Sequence, residues 1–189
     1  MKPDKLVVIG GSAGSLHIVF SILSAIGKDY PFPVMLVLHR NNNVESSLEE
    51  LISGRTLLTI KEVEEKEVLR AGTVYVCPAD YHVLVEQDHT TSLDYSERVN
   101  YSRPSIDVTF RSAAEVYGPD LIAVLLSGGN SDGADGMENV KAMGGFTILQ
   151  DPKTAEVPYM PQQVMLRMTV DVVAPDAELP LLIRRLGET

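Results

Sequence analysis

Short runs of consecutive apolar residues punctuate the chain, separated by stretches in which apolar positions recur every three or four residues. The runs Leu6–Ile9, Val34–Leu38, Leu57–Ile60, Thr73–Val76, His82–Glu86, Ile122–Leu126, Phe146–Leu149 and Val170–Val173 predict strands. Several are continuous rather than alternating, as expected of parallel strands covered by helices on both faces. Between them the spacing predicts helices over 16–26, 44–53, 104–117, 133–143, 160–168 and 176–186. In the first of these Leu16, Val19, Phe20, Leu23 and Ile26 recur at helical spacing. This alternation predicts an α/β fold: a doubly wound, mostly parallel sheet with helices on both faces.

Residues 69–95 break that rhythm. Their closely spaced strand-like segments, with Ala71-Gly72 and Pro78-Ala79-Asp80 as turns, predict an antiparallel hairpin insert. Lys61–Glu67 is charged at every position except Val63 and reads as a solvated turn. No internal repeat, low-complexity tract or interdomain linker interrupts the pattern, so residues 1–189 read as one domain.

Composition narrows the function classes. At 189 residues and 44% apolar, the chain can bury a substantial core, and no apolar run approaches the ~20 residues of a membrane-spanning helix. The net charge of −10 argues against nucleic acid, whose binding depends on neutralising phosphates. Arg184-Arg185 is the densest basic pair and reads as a solvated helix face. The single cysteine, Cys77, excludes an internal disulfide framework and predicts a cytoplasmic protein with a packed thiol at a strand end. His17, His39, His82 and His89 lack the spacing of a zinc site, and neither a metal nor a cofactor is expected.

The chemistry is concentrated where the first strand ends. In Val7-Val8-Ile9-Gly10-Gly11-Ser12-Ala13-Gly14-Ser15, Gly10, Ser12 and Gly14 satisfy the G-x-S-x-G spacing of a nucleophile elbow. A sharp strand-to-helix turn requires small neighbours because a Cβ obstructs it. The following helix would bring free N–H groups and a positive dipole end toward charge developing near Ser12. A phosphate-binding turn is the competing interpretation. A dinucleotide fingerprint would need glycines at Ser12 and Ser15, however, and a Walker A loop would need a lysine before Lys28.

A nucleophilic serine needs a base, and the base needs an orienting group. In a parallel sheet such residues gather beyond the carboxyl ends of strands. Ser12 follows Leu6–Ile9, His39 ends the run Val34–Leu38, and Asp132 lies in the loop after Ile122–Leu126. Strand polarity therefore brings all three to one edge. His17 falls within a helix and His89 in a polar loop; both read as surface residues, while His82 reads as hairpin packing. Asp135 competes with Asp132 but falls in a first helical turn and is expected to point outward. The order Ser12, His39, Asp132 differs from the α/β-hydrolases, where the acid precedes the histidine.

These segments resemble the catalytic domain of the CheB family, the chemotaxis protein-glutamate methylesterases. The resemblance is carried by the Val7–Ser15 turn, Val37-Leu38-His39, Arg70–His82, Ser102–Ala114, Leu126–Met137 and Gln150–Pro161. It implies hydrolysis of glutamyl methyl esters on the cytoplasmic helices of methylated chemoreceptors, or on related signalling proteins, with release of methanol. Deamidation of receptor glutamines is implied as a variant of the same chemistry. It also implies catalytic roles for Ser12, His39 and Asp132, and an oxyanion hole formed by the N–H groups of Ala13 and Gly129. No nucleic acid and no direct membrane insertion are implied.

The chain departs from the family pattern at several points. Ala13 stands where threonine is frequent, Gly128-Gly129-Asn130 replaces a typical Gly-Met-Gly, and Arg40-Asn41-Asn42-Asn43 replaces a methionine and a proline after the histidine. The last change predicts a more polar, basic lip. Only Met1–Lys5 precede the first strand, where the family places a receiver domain, so either a free-standing esterase or a fragment of a longer protein is expected, and in this chain activity independent of phosphorylation in cis. A non-catalytic relative that binds a partner through the same surface is the alternative raised by the altered Gly129-Asn130 loop.

Overall fold

The computed structural model describes residues 5–39 and 48–188. Arg40 and Asn41–Asn43, and the basic lip expected of them, lie outside the described residues. In chain order the strands are β1 (Leu6–Gly11), β2 (Val34–Leu38), β3 (Thr59–Glu62), β4 (Thr73–Val76), β5 (His82–Val85), β6 (Thr91–Asp94), β7 (Leu121–Leu125), β8 (Phe146–Gln150) and β9 (Val172–Ala174). The helices are α1 (Leu16–Ala25), α2 (Leu48–Ser53), α3 (Ile106–Tyr117), α4 (Ala134–Ala142), α5 (Tyr159–Met165) and α6 (Leu179–Leu186).

Seven strands make one sheet in the order β3-β4-β2-β1-β7-β8-β9, parallel throughout. β1, first in the chain, is therefore the middle strand. Its every residue is buried, which explains why its apolar run is continuous rather than alternating.

Alternation still decides which layer each side chain joins. Leu6 and Val8 of β1, Met35 and Val37 of β2, and Ala123 and Leu125 of β7 pack with α3, α4, α5 and the hairpin. Val7, Ile9, Leu36 and Val124 face the other way, into the layer of α1, α2 and α6. Because β1 leads into α1 on one face and β7 into α4 on the other, their carboxyl ends flank a topological switch point, where α/β sheets form crevices.

The antiparallel hairpin is present, but it is narrower than the sequence pattern predicts. It consists of β5 and β6 alone, while Thr73–Val76 forms a wholly buried parallel strand between β3 and β2. The hairpin docks on α3: Thr109 Oγ1 donates to the Val83 carbonyl at 2.8 Å, and Ser112 Oγ accepts from Val85 N–H at 3.1 Å. Two buried polar residues on an otherwise apolar helix face are satisfied in this way. Lys61–Glu67 is not wholly a turn, since Lys61 and Glu62 finish β3 and Val63 is buried.

Helix α3 starts two residues later than predicted. Pro104 precedes Ser105, whose extended backbone makes it the N-cap and whose hydroxyl accepts from Val108 N–H. Cys77 is buried in the core as expected. Among the described residues, no helix is long and apolar enough to cross a membrane.

Candidate active site

Ser12 and His39 lie opposite each other, one step beyond the last paired residues of β1 and β2. β1 and β2 pair through Gly11 and Leu38, and His39 N–H extends the ladder by donating to the Gly11 carbonyl at 3.1 Å. Adjacent strands lie about 4.8 Å apart. By strand alternation Ser12 continues the series Leu6, Val8, Gly10, and His39 continues Met35, Val37; both series face the α3 layer. On the other side, Ser12 N–H donates to the Ser127 carbonyl at 2.9 Å, tying the serine to the end of β7.

The glycines of the elbow have separate tasks. A Cβ on Gly10 would lie 2.5 Å from Ile106 Cγ2, so the bare backbone is what admits the first turn of α3 beside β1. Gly14 carries the left-handed backbone, φ +77°, and Ser12 does not. The turn closes when Ser15 N–H and Oγ both donate to the Ser12 carbonyl, at 3.1 and 2.6 Å, and α1 begins at the next residue.

Asp132 is fully buried at the N-terminus of α3. Its Oδ2 accepts from Ile106 N–H at 2.7 Å and lies 2.7 Å from His39 Nε2. Its Oδ1 accepts from Ser105 Oγ at 2.8 Å, Asp107 N–H at 3.1 Å and Asn100 Nδ2 at 3.3 Å. One carboxylate thus satisfies the first free N–H groups of a twelve-residue helix and orients the histidine. Burial opposes its charge. The bonds from His39, Ile106 N–H and Ser105 outweigh that burial and hold the carboxyl below the ordinary carboxylate range.

Because the ionised Asp132 only accepts, His39 Nε2 carries the hydrogen between them. The lone pair is then on Nδ1, the nitrogen available as a base. Ser102 Oγ lies 3.4 Å from it. Among the described residues no hydrogen bond joins Ser12 Oγ to His39, so the serine and its base are adjacent without being bonded in the unliganded chain.

Ala13 and Gly129, the expected oxyanion donors, are both exposed, and among the described residues neither N–H has a hydrogen-bond partner. Neighbouring amides are committed: Gly128 N–H donates to Val157, and Asp132 N–H to Asn130 Oδ1. Ser127 Oγ donates to the Ala13 carbonyl at 2.7 Å, while the peptide that carries Ala13 N–H is fixed by the two bonds from Ser15 to the Ser12 carbonyl.

Of the remaining candidates, Asp135 points outward to Arg167 and His17 to Asp176. His89 is half-buried against Tyr117 rather than simply exposed. His82, expected only to pack the hairpin, accepts Ser105 N–H on Nδ1 and donates from Nε2 to the Glu97 carbonyl, supporting the same helix end. Four residues beside the pair were not among the sequence candidates: Asn100, Ser102, Ser105 and Asp107. Only Ser105 carried a local signal, as a serine just ahead of a helical run after a proline. No group of histidine, cysteine and acidic residues suited to a metal occurs among the described residues.

The chain matches known proteins across nearly its whole length. The CheB methylesterase family matches residues 7–183. The chain belongs to the CheB methylesterase family. A Leptospira interrogans protein, provisionally named a protein-glutamate methylesterase/protein-glutamine glutaminase, is 41% identical over 96% of this chain and 94% of its own length. The Thermotoga maritima protein-glutamate methylesterase/protein-glutamine glutaminase is 35% identical over 93% of this chain, which spans 52% of that protein. The crystal structure of the Thermotoga maritima CheB methylesterase catalytic domain superposes with a TM-score of 0.90 at 34% identity, covering 96% of this chain and 98% of that one. The CheB fold therefore accounts for both the parallel sheet and the separate two-stranded hairpin.

Proposed function

We propose that the chain is a protein-glutamate methylesterase that hydrolyses glutamyl methyl esters on the cytoplasmic helices of chemoreceptors, and deamidates receptor glutamines by the same acyl transfer. The observation that carries this reading is the His39–Asp132 pair, 2.7 Å apart with Asp132 fully buried and His39 partly so, beside the serine of a G-x-S-x-G turn. The chain acts as a methylesterase catalytic domain. A single buried cysteine suits the reducing cytoplasm where such helices would be met.

In this mechanism Ser12 Oγ attacks the ester carbonyl as its proton passes to His39 Nδ1. Asp132, held ionised by its donors, keeps the ring oriented and offsets the charge of the imidazolium. The N–H groups of Ala13 and Gly129 receive the oxyanion of the tetrahedral intermediate. As that intermediate collapses, the bond to the methoxy oxygen breaks and Nδ1 returns the proton, so methanol leaves and an acyl-serine remains. Water then adds to the acyl carbon with Nδ1 again taking a proton, and breakdown restores Ser12 and frees the glutamate. With a glutamine side chain the same sequence releases ammonia.

The absence of a Ser12–His39 bond in the unliganded chain fits this reading, because catalytic hydrogen bonds often close only when substrate binds. The methylesterase names of the relatives and the intact His39–Asp132 pair favour an enzyme over a non-catalytic partner-binding module. Labelling with a fluorophosphonate, followed by peptide mapping, tests the assignment. The adduct is expected on Ser12; a fully folded chain that takes up no label contradicts it.

A further inference from the structure

A tight turn beside the site reaches both His39 and Asp132. Val99 and Ser102 exchange backbone hydrogen bonds of 3.2 and 2.9 Å, and the two central residues, Asn100 (φ 50°) and Tyr101 (φ 63°), are both left-handed. This is the geometry of a two-residue hairpin turn that glycine and asparagine favour; a tyrosine there is unusual. Tyr101 is 95% exposed, so its own packing does not account for the turn. What the turn does is present Asn100 to Asp132 and Ser102 to His39.

The surroundings of Ser102 define what its hydroxyl can do. Asn130 Nδ2 donates to Ser102 Oγ at 3.3 Å, and Asn130 is itself fixed by accepting Asp132 N–H on Oδ1. The Asn100 carbonyl, 3.4 Å from Ser102 Oγ, offers a second acceptor for the hydroxyl hydrogen. A hydroxyl has one hydrogen and two lone pairs. With one lone pair taken by Asn130, Ser102 can donate to the bare Nδ1 of neutral His39. It can equally turn its hydrogen to the Asn100 carbonyl and accept Nδ1–H once the ring is protonated. At 3.4 Å the contact with Nδ1 is at the long limit of hydrogen bonding, so it can be surrendered when substrate brings Ser12 into line.

We propose that Ser102, held by Asn130 and by the Val99–Ser102 turn, is a positioning residue for the base: before substrate binds it occupies the Nδ1 edge of His39, donating to the neutral ring and accepting Nδ1–H from the protonated one. This rests on His39 being the base, as in the proposed function. It also gives a role to Asn130, one of the departures from the family's usual Gly-Met-Gly.

The direction of the effect follows from bond strengths. The acceptor role involves a charged donor and is the stronger of the two, whereas in the neutral state the hydroxyl hydrogen can bond the Asn100 carbonyl instead. Ser102 therefore favours the protonated ring on balance. Among the described residues, the ionisable groups around His39 are Asp132 directly, Asp107 through Asn100, and His82 behind Ser105, and none of them is bonded to Ser102.

The test compares wild type, Ser102→Ala, Ser102→Thr and Ser12→Ala by the pH dependence of kcat/KM on a methylated receptor fragment, with fluorophosphonate mapping alongside. Ser102→Ala is expected to lose about tenfold in kcat/KM, the effect of about one misplaced hydrogen-bonding group, and to move the acid limb of the profile to lower pH. Ser102→Thr, which keeps the hydroxyl, is expected to restore the limb. An Ala variant whose acid limb stays at the wild-type pH overturns the proposal, whatever its rate. Activity surviving in Ser12→Ala would instead overturn the proposed function, so the two failures are distinguishable.

Discussion

Asp107 and Asp132 are joined by one amide: Asn100 Nδ2 donates to Asp107 Oδ2 at 2.6 Å and to Asp132 Oδ1 at 3.3 Å. The two carboxyls share a neighbourhood but not a charge state. Asp132 receives donors from Ile106, Asp107, Ser105 and His39, which keep it ionised despite burial. Asp107, held by Gly136 N–H at 2.6 Å, is pushed up to about 7, first by burial and then by the Asp132 charge. The environment thus separates two identical acids into a charged partner for His39 and a carboxyl that retains its proton into the neutral range.

This split predicts a pH signature in stability. Between the ordinary carboxylate value near 4 and about 7, the folded chain holds a proton on Asp107 that the unfolded chain has lost. Stability from this group is therefore full below the ordinary value and declines as pH rises through that window. Asp107→Asn removes the decline, so the variant gains on wild type between pH 5 and pH 8. Melting temperatures of both proteins at the two pH values check this; a constant difference between them would contradict it.

Asp132 has a structural role as well as the proposed electrostatic one. Asp132→Ala leaves Ile106 and Asp107 N–H without the carboxylate in a buried site, at a cost of about 2–4 kcal/mol. Asp132→Asn keeps an oxygen for the helix end but can present an N–H to His39 Nε2, disfavouring the tautomer the base needs. In that orientation only Ile106 N–H loses its acceptor, so the variant is expected to lose less stability than Asp132→Ala while losing roughly 10⁴ in kcat. Denaturant melts and turnover measured on both variants separate the two roles, and equal losses of activity and stability in Asp132→Asn would count against the separation.

The close approach of β1 and α3 gives a packing test. A methyl at Gly10 would meet Ile106 Cγ2 at 2.5 Å, forcing the helix end that holds Asp132 to move. Gly10→Ala is expected to cost about 1–3 kcal/mol by overpacking and to reduce activity through the displaced Asp132. Ile106→Ala opens a cavity, but combining the two should cost less than their sum because each relieves the other. A strictly additive double mutant in denaturant melts would show that the contact is not what makes Gly10 necessary.

The three residues Ser12, His39 and Asp132 were legible because strand polarity acts on whole elements. Parallel strands put their carboxyl ends on one edge, and the continuous apolar runs identified those strands. Register then adds what spacing alone does not reveal, that Ser12 and His39 lie opposite each other just past the ends of adjacent strands. Asn100 and Ser102 were not legible, because they reach the site through a two-residue turn that lies far from it along the chain and whose left-handed backbone has no glycine to announce it. Asp107 was not singled out by the sequence pattern; its buried setting comes from packing against Gly136 and Asn100. Thr73–Val76 was grouped with the hairpin because short strands in close succession suggest antiparallel pairing. Its partners are instead the parallel strands β2 and β3.

The central claim is that Ser12 is the nucleophile of a glutamyl methylesterase, and methanol release from a methylated chemoreceptor fragment tests it most directly. Wild-type chain is expected to release methanol with turnover, and folded Ser12→Ala to fall by on the order of 10⁶ in kcat. Methanol release by Ser12→Ala at a rate near that of wild type would contradict the claim.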